Sequence, residues 1–188
     1  MFCGSSSGKG VKHLLAAQKL GETLVKEGLS LVYGGGNVGI MGELANTVLK
    51  YNGTVTGVIP ENLVKREAAL KEVTELIVVK SMHERKARMS ELSDCFIAMS
   101  GGIGTLEEFF EVWTWAQLGI HSKPIGILNT DNYYTKLMEF IYHTVEEGFV
   151  NKNNLDMITV DTDPENLIYK MKDYKTADVR KWIDENEI

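Results

Sequence analysis

Residues 95–108 read Cys95-Phe96-Ile97-Ala98-Met99-Ser100-Gly101-Gly102-Ile103-Gly104-Thr105-Leu106-Glu107-Glu108. The apolar run over residues 95–99 is typical of a short buried strand, and an amphipathic helix is predicted over residues 105–118. The glycine-rich turn between them would expose backbone N–H groups beside a helix N-terminus, which attracts anions. A carboxylate at Glu108 is unexpected in a site that only binds phosphate. The segment therefore predicts an anion site that also carries out chemistry.

The same alternation of short apolar runs and amphipathic segments continues along the chain. Strands are predicted over residues 1–3, 29–33, 54–59, 75–79, 95–99, 125–128 and 157–160. Helices are predicted over residues 11–27, 40–50, 81–92, 105–118, 133–147 and 164–171. This order predicts βαβ units and a mostly parallel sheet with helices on both faces. We expect a single doubly wound, Rossmann-like α/β domain over residues 1–175, followed by a charged tail, residues 176–188, with the pattern of a short helix.

Ligands of doubly wound sheets bind outside the carboxyl ends of the strands. Three polar loops, residues 4–10, 34–39 and 100–105, follow predicted strands, and a helix begins near Ser81 after a fourth. We therefore expect these four segments to share one site.

Composition limits the classes of function. The chain has 188 residues and a formal net charge of -6, whereas proteins that bind nucleic acid are usually basic. No apolar run is long enough to span a membrane, and no export signal is recognisable at the start. The thiols Cys3 and Cys95 are expected to be buried and reduced. These features predict a cytoplasmic protein without nucleic-acid or membrane partners.

Two glycine-rich turns match known motifs only in part. Gly34, Gly36 and Gly39 fit G-x-G-x-x-G, but this pattern follows the second predicted strand instead of the first, so a tight turn or a mononucleotide site is favoured over a dinucleotide site. Residues 4–8 fit G-x-S-x-G and nearly fit a P-loop, but Lys9-Gly10 delays the helix. A loop that donates hydrogen bonds to phosphate or ribose is the favoured interpretation.

No pattern of metal ligands is present in the sequence. His83-Glu84 resembles the start of a zinc-protease helix, but position 87 is Ala87 instead of a second histidine. We therefore expect no metal.

Arg85 and Glu108 each allow a structural and a functional interpretation. Basic residues in the first turn of a helix oppose its dipole, so Arg85 and Lys86 need an anionic partner, either a nearby carboxylate or a bound phosphate. Thr105 and Glu108 have the spacing of a capping box, in which Glu108 would only satisfy the Thr105 N–H. Spacing alone favours that structural role for Glu108.

The helix that carries Glu108 is apolar on more than one face. Its apolar residues are Leu106, Phe109, Phe110, Val112, Trp113, Trp115 and Ala116. Because one stripe is enough to pack on the sheet, the remainder predicts a subunit interface and a homodimer.

Several motifs in the same order resemble the LONELY GUY family of cytokinin riboside 5'-monophosphate phosphoribohydrolases, which also carries the older label lysine decarboxylase. The family motif P-G-G-x-G-T-x-x-E appears here as residues 100–108, and M-H-x-R-K appears as residues 82–86. Further matching stretches are residues 3–6, 32–36, 57–60, 66–67 and 114–121. The resemblance runs over residues 3–171.

The resemblance implies hydrolysis of the N-glycosidic bond of a nucleoside 5'-monophosphate, AMP or N6-modified AMP, to free base and ribose 5-phosphate without a cofactor. It implies that Arg85 and Glu108 are catalytic and that the glycine loop, residues 101–105, holds the 5'-phosphate. The implied substrate-binding residues are Gly4, Ser5, Gly35, Gly36, Glu67, Met82, Lys86, Gly101, Gly102, Ile103, Gly104, Thr105, Leu106, Glu107 and Thr114.

The sequence leaves two other functions open and departs from the family motif at one position. The chain would otherwise be a non-catalytic carrier of nucleotides or phosphorylated cofactors. Decarboxylation, which the older label suggests, would require pyridoxal phosphate on a lysine, and no lysine has a sequence context that argues for it. Ser100 replaces the proline of the family motif, which removes a fixed φ and adds a hydrogen-bond donor.

Overall fold

The computed structural model describes residues 1–64 and 69–175. The strands are β1 (Leu31–Tyr33), β2 (Val55–Pro60), β3 (Glu75–Val79), β4 (Phe96–Ala98), β5 (Ile125–Leu128) and β6 (Ile158–Asp161). The helices are α1 (Lys12–Lys26), α2 (Gly39–Lys50), α3 (Met82–Glu91), α4 (Ile103–Gln117), α5 (Thr135–Glu146), α6 (Lys152–Leu155) and α7 (Pro164–Lys172), with a 3₁₀ turn at Thr130–Asn132. The predicted tail, residues 176–188, lies outside the described residues.

All strand pairs in these ranges are parallel, and they form two three-stranded sheets with the orders β1-β2-β3 and β4-β5-β6. The first residues of the chain lie between the sheets. Phe2 bridges Ala98 in parallel, and the Met1 amino group donates a 2.8 Å hydrogen bond to Val32 O. The predicted first strand is therefore reduced to a single bridge.

The chain leaves this centre on one side through β1 to β3, returns to β4, and leaves on the other side through β5 to β6. This is the doubly wound topology that the alternation of elements predicts, and the predicted fold class is confirmed. The point where the direction reverses lies at the central bridge, beside residues 4–10 and 100–105, and such a point is where open parallel sheets bind ligands.

Each face of the sheets has its own core because successive side chains of a strand point to opposite faces. Phe96 and Ala98 belong to one core, whereas Ile97 and Met99 belong to the other. Helices α1, α2 and α7 cover the face of Ile97, and helices α3, α4 and α5 cover the face of Phe96. The sheet is thus buried on both sides, as its apolar strands require.

Differences from the predicted elements are local. β2 includes Pro60, which was expected to follow the strand, because a proline at a strand end loses only an N–H while its carbonyl still accepts from Leu63 N. The sequence does not predict the short helix α6; its N-cap is Asn151, whose side chain accepts the Asn153 N–H at 2.9 Å. Within the described ranges, no helix is long and apolar enough to cross a membrane.

Candidate active site

A cavity of about 300 Å³ opens at the carboxyl ends of the central strands. The loop after Phe2, the start of α3 and the start of α4 contribute most of its wall. The lining residues are Cys3, Gly4, Ser5, Met41, Leu63, Met82, Arg85, Gly102, Ile103, Gly104, Thr105, Glu107 and Glu108. The cavity therefore combines backbone N–H groups, one arginine and two carboxylates.

Helix α4 begins at Ile103, two residues before the predicted start, and Gly102 in an extended conformation is its N-cap. The capping box predicted between Thr105 and Glu108 is therefore wrong, because Thr105 already lies inside the first turn. Glu108 lies in the second turn and has no cap to satisfy. The first N–H groups of the helix have no helical acceptor and lie at the cavity wall, which gives this end the character of an anion site.

Gly101 stands where the glycine loop meets the loop after Phe2. A Cβ at Gly101 would collide with the Thr105 side chain and lie 2.9 Å from Gly4 N. The Gly4 N–H donates a 3.0 Å hydrogen bond to Ser100 O, so the two loops are joined at this point. The close approach of two backbones is the reason that glycine is required there.

We expect Gly101→Ala to lower the free energy of unfolding by about 1–3 kcal/mol, because the new methyl group must displace backbone. Gly104→Ala is the matched control: a Cβ there meets nothing within 4 Å, and alanine favours a helix over glycine by about 0.5–1 kcal/mol. Urea denaturation of the two variants measures the difference. Equal stability of Gly101→Ala and wild type would contradict the close contact.

Arg85 is buried beneath the cavity and is anchored to the sheet. Its Nε donates to Val58 O at 3.0 Å and its Nη2 donates to Gly34 O at 2.9 Å. A side chain at Gly34 would overlap the guanidinium, so this glycine makes room for Arg85. A backbone carbonyl within β2 and the one directly after β1 therefore orient the guanidinium, which also lines the cavity.

The start of α3 holds Arg85 in place from the other side. Ser81 Oγ accepts the Glu84 N–H at 3.1 Å, and Glu84 Oε2 accepts the Lys80 N–H at 2.8 Å. Residues 81–84 thus form a capping box, although Glu84 reaches the residue before the N-cap. The cap fixes the first turn of α3, from which the Arg85 side chain extends into the interior.

Glu108 is half-buried and faces the same cavity. Burial raises the pKa of its carboxyl above the usual value, while the nearby Arg85 guanidinium opposes that rise. A carboxylate held with a raised pKa in a cavity beside a cation is a typical arrangement for acid–base or electrostatic catalysis.

Lys86 connects α3 to α4 at the edge of the cavity. Its Nζ lies 2.6 Å from Glu107 Oε1 and 2.9 Å from Glu111 Oε1. These hydrogen bonds outweigh the effect of burial and raise the pKa of Lys86. Lys86 is therefore a charged link that sets the position of Glu107.

The structure places the predicted site residues in three groups. The cavity wall contains both Arg85 and Glu108 and, of the predicted binding residues, Gly4, Ser5, Met82, Gly102, Ile103, Gly104, Thr105 and Glu107. The wall does not include Gly35, Gly36, Lys86, Gly101, Leu106 or Thr114. Glu67 lies outside the described residues.

The predicted residues that lie outside the cavity wall have other surroundings. Gly35 and Gly36 contact residues 69–70, and Thr114 is exposed on α4, where its hydroxyl donates to Phe110 O. Lys86 and Gly101 act behind the wall, as described above. Leu106 packs on the core beneath α4.

Sequence reasoning missed three lining residues: Cys3, Met41 and Leu63. Cys3 directly precedes the predicted Gly4 loop, so its position was available from the motif. Met41 and Leu63 carry no sequence signal of a site, because apolar residues near a strand end usually belong to the core. Within residues 1–64 and 69–175, no three His, Cys, Asp or Glu side chains are grouped closely enough to hold a metal ion.

Solved structures of low sequence identity share the fold. The molybdenum cofactor binding protein of Rippkaea orientalis superposes with a TM-score of 0.66 at 24% identity, over 91% of this chain and 93% of that chain. The Moco carrier protein of Chlamydomonas reinhardtii gives a TM-score of 0.64 at 21% identity, over 91% and 92% of the two chains.

Sequence comparison gives much closer relatives. Cytokinin riboside 5'-monophosphate phosphoribohydrolase LOG1 of Arabidopsis thaliana is 46% identical over 187 residues, which cover 97% of this chain and 88% of that protein. The phosphoribohydrolase LOG4 of the same plant is 48% identical over 174 residues, 93% and 81% of the two chains. Residues 41–171 match the family model described as "Possible lysine decarboxylase". The chain therefore belongs to the LONELY GUY family, which that model describes.

Proposed function

We propose that this protein hydrolyses the N-glycosidic bond of a purine or cytokinin nucleoside 5'-monophosphate, giving free base and ribose 5-phosphate. One observation carries the proposal. Arg85, Glu108 and the N-terminus of α4 line a single cavity in a chain that is 46% identical to a cytokinin riboside 5'-monophosphate phosphoribohydrolase.

The 5'-phosphate would bind to the glycine loop and the first turn of α4, where exposed N–H groups and the helix dipole favour an anion. Because the phosphate is remote from the bond that breaks, its binding energy positions the ribose. Gly101 shapes this subsite from behind, and the residues at its surface are Gly102, Ile103, Gly104 and Thr105.

Glu108 would act on the anomeric carbon. Cleavage of a ribosyl–base bond develops positive charge on the sugar, as in glycoside hydrolysis. A carboxylate beside that carbon stabilises the charge and deprotonates the attacking water. Burial raises the pKa of Glu108, and Arg85 opposes that rise and so favours the ionised carboxylate; the guanidinium also lines the cavity, where it can contact the substrate.

The function is tested by incubating the protein with AMP and with isopentenyladenosine monophosphate and measuring both products. A hydrolase releases free base and ribose 5-phosphate in equal amounts. A carrier binds the nucleotide without product. A decarboxylase consumes lysine, with the absorbance of pyridoxal phosphate in the purified protein.

The exposed apolar side chains at α4 support a homodimer. Phe109, Val112 and Trp113 are buried in the protein's own core, whereas Phe110 and Ile103 remain 36% and 87% exposed. Apolar side chains this exposed beside a site favour a protein partner, and in this proposal the partner is a second copy.

We expect sedimentation to show a dimer and Phe110→Glu to shift it to monomer, because the new charge would be buried in the interface. Phe140→Glu, at a 61% exposed position on α5, is the matched control and should remain dimeric. A monomeric wild type at micromolar concentration would contradict the dimer.

We also propose that the protein acts in the cytoplasm. Cys3 and Cys95 are free thiols, which suits a reducing compartment, and nucleoside monophosphates are substrates that such a compartment supplies. Fractionation of cells that express the protein tests this placement.

A further inference from the structure

A second cavity of about 310 Å³ lies next to the first. The two cavities share Gly4, Ser5 and Gly102, so the glycine loop is a thin wall between them. The second cavity is also lined by His13, Ser100 and Tyr133. The close contact of Gly101 with Gly4 and Thr105 and hydrogen bonds to neighbouring side chains hold the loop between these cavities.

Three hydrogen bonds hold the loop and the strand end before it. Ser100 Oγ and His13 Nδ1 are 2.9 Å apart. The Tyr133 hydroxyl donates to Gly101 O at 2.6 Å, and the Tyr134 hydroxyl donates to Met99 O at 2.6 Å. Of these four side chains, only His13 belongs to the segment that follows the other site loop, residues 4–10. The His13–Ser100 contact therefore joins the glycine loop to the start of α1, which directly follows residues 4–10.

The contact between His13 and Ser100 is shielded from water. His13 is 7% exposed and Ser100 is 3% exposed. Burial lowers the pKa of His13, the Lys12 charge lowers it further, and Asp131 opposes the change. Ser100 Oγ and His13 Nδ1 share one hydrogen bond, and the Tyr133 ring packs in a T-shaped arrangement against the same imidazole. A buried hydrogen bond of this kind restricts the Ser100 side chain to one geometry.

The geometry points to His13 and Ser100 as a positioning pair for the phosphate-binding loop of the proposed hydrolase. The hydrogen bond between Ser100 and His13 restricts the first residue of the loop. Ser100 O also accepts the Gly4 N–H at 3.0 Å, so fixing Ser100 fixes Gly4 as well. This inference rests on the proposed function, because the loop is taken to hold a 5'-phosphate.

The test compares single and double variants in steady-state hydrolysis of AMP. We expect His13→Ala and Ser100→Ala each to raise KM about fivefold to tenfold, the loss of one buried hydrogen bond, and to change kcat less than twofold. The double variant should be no worse than either single variant, because both remove the same bond.

Conservative variants separate positioning from folding. His13→Asn places an amide where Nδ1 lies and should keep KM within twofold of wild type, whereas His13→Gln places its amide near Nε2 and should behave like His13→Ala. In a Ser100→Pro background, His13→Ala should no longer raise KM. His143→Ala, at an exposed histidine of α5, is the control and should leave KM unchanged.

The inference is overturned if the His13 and Ser100 effects add in the double variant, or if KM is unchanged in both single variants. If wild type releases no base, the proposed function has failed. In that case calorimetry of ribose 5-phosphate binding tests the pair. We expect the Kd to rise fivefold to tenfold in His13→Ala. An unchanged Kd would show that the pair does not position the loop.

Discussion

Glu108→Gln is expected to lower kcat for base release by about 10²–10⁴-fold, the usual contribution of a positioned general base. The amide fills the same volume but carries no charge to stabilise the sugar and cannot accept the proton of water. Nucleotide affinity should change little, because the phosphate subsite at the N-terminus of α4 is intact. Single-turnover kinetics with saturating nucleotide measures the chemical step, and calorimetry measures binding.

The control for this variant is Glu146→Gln, which removes a carboxylate from the exposed end of α5 and should leave kcat unchanged. A kcat of Glu108→Gln within threefold of wild type would exclude Glu108 as the reacting carboxylate. The loss of nucleotide binding together with turnover would instead assign Glu108 to substrate binding.

Arg85→Met is expected to affect stability and pH dependence together. Val58 O and Gly34 O would lose their donors in a buried place, so the free energy of unfolding should fall by about 2–4 kcal/mol. Lysine is not a substitute, because an ammonium lacks the planar fork that reaches both carbonyls. Urea denaturation measures this loss.

The pH profile gives the second readout of Arg85→Met. In the proposed mechanism Glu108 reacts as a carboxylate, so kcat/KM should be high above the pKa of Glu108 and should be lost as the pH falls through that value. Burial already raises this pKa and Arg85 opposes the rise. Without the guanidinium the pKa rises further, and the acid limb of the kcat/KM profile should move to higher pH.

Arg88→Met is the matched control, since Arg88 lies on the same helix but pairs with Glu91 on the surface. It should change stability by less than about 0.5 kcal/mol and leave the pH profile in place. An acid limb that does not move in Arg85→Met would show that Arg85 does not act on Glu108.

Local sequence patterns predict the bounds of a strand closely where the flanking residues mark its ends clearly. The predicted bounds of β3 and β5 agree with Glu75–Val79 and Ile125–Leu128, because polar residues or proline flank each apolar run. The sequence predicts the start of α4 two residues too late, because three glycines within residues 100–104 leave several possible N-cap positions. The closeness of Gly101 to Gly4 decides among them, and that contact spans almost a hundred residues of sequence.

The site shows the same difference between what local patterns predict and what contacts between distant residues decide. The positions of Arg85 and Glu108 are available from motifs. The anchoring of Arg85 depends on contacts with Val58 O in β2 and with Gly34 O directly after β1, which are distant in the sequence. The capping role that spacing favoured for Glu108 disappeared once Gly102 took the N-cap. Contacts between residues distant in the sequence, which local patterns do not predict, account for both.

Product analysis with wild-type protein tests the central proposal most directly. In phosphate-free buffer, we expect isopentenyladenosine monophosphate or AMP to yield free base and ribose 5-phosphate in a one-to-one ratio. The Glu108→Gln protein should bind the same nucleotide without product. Tight nucleotide binding by wild type with no base released over many hours would contradict the account and identify the protein as a carrier.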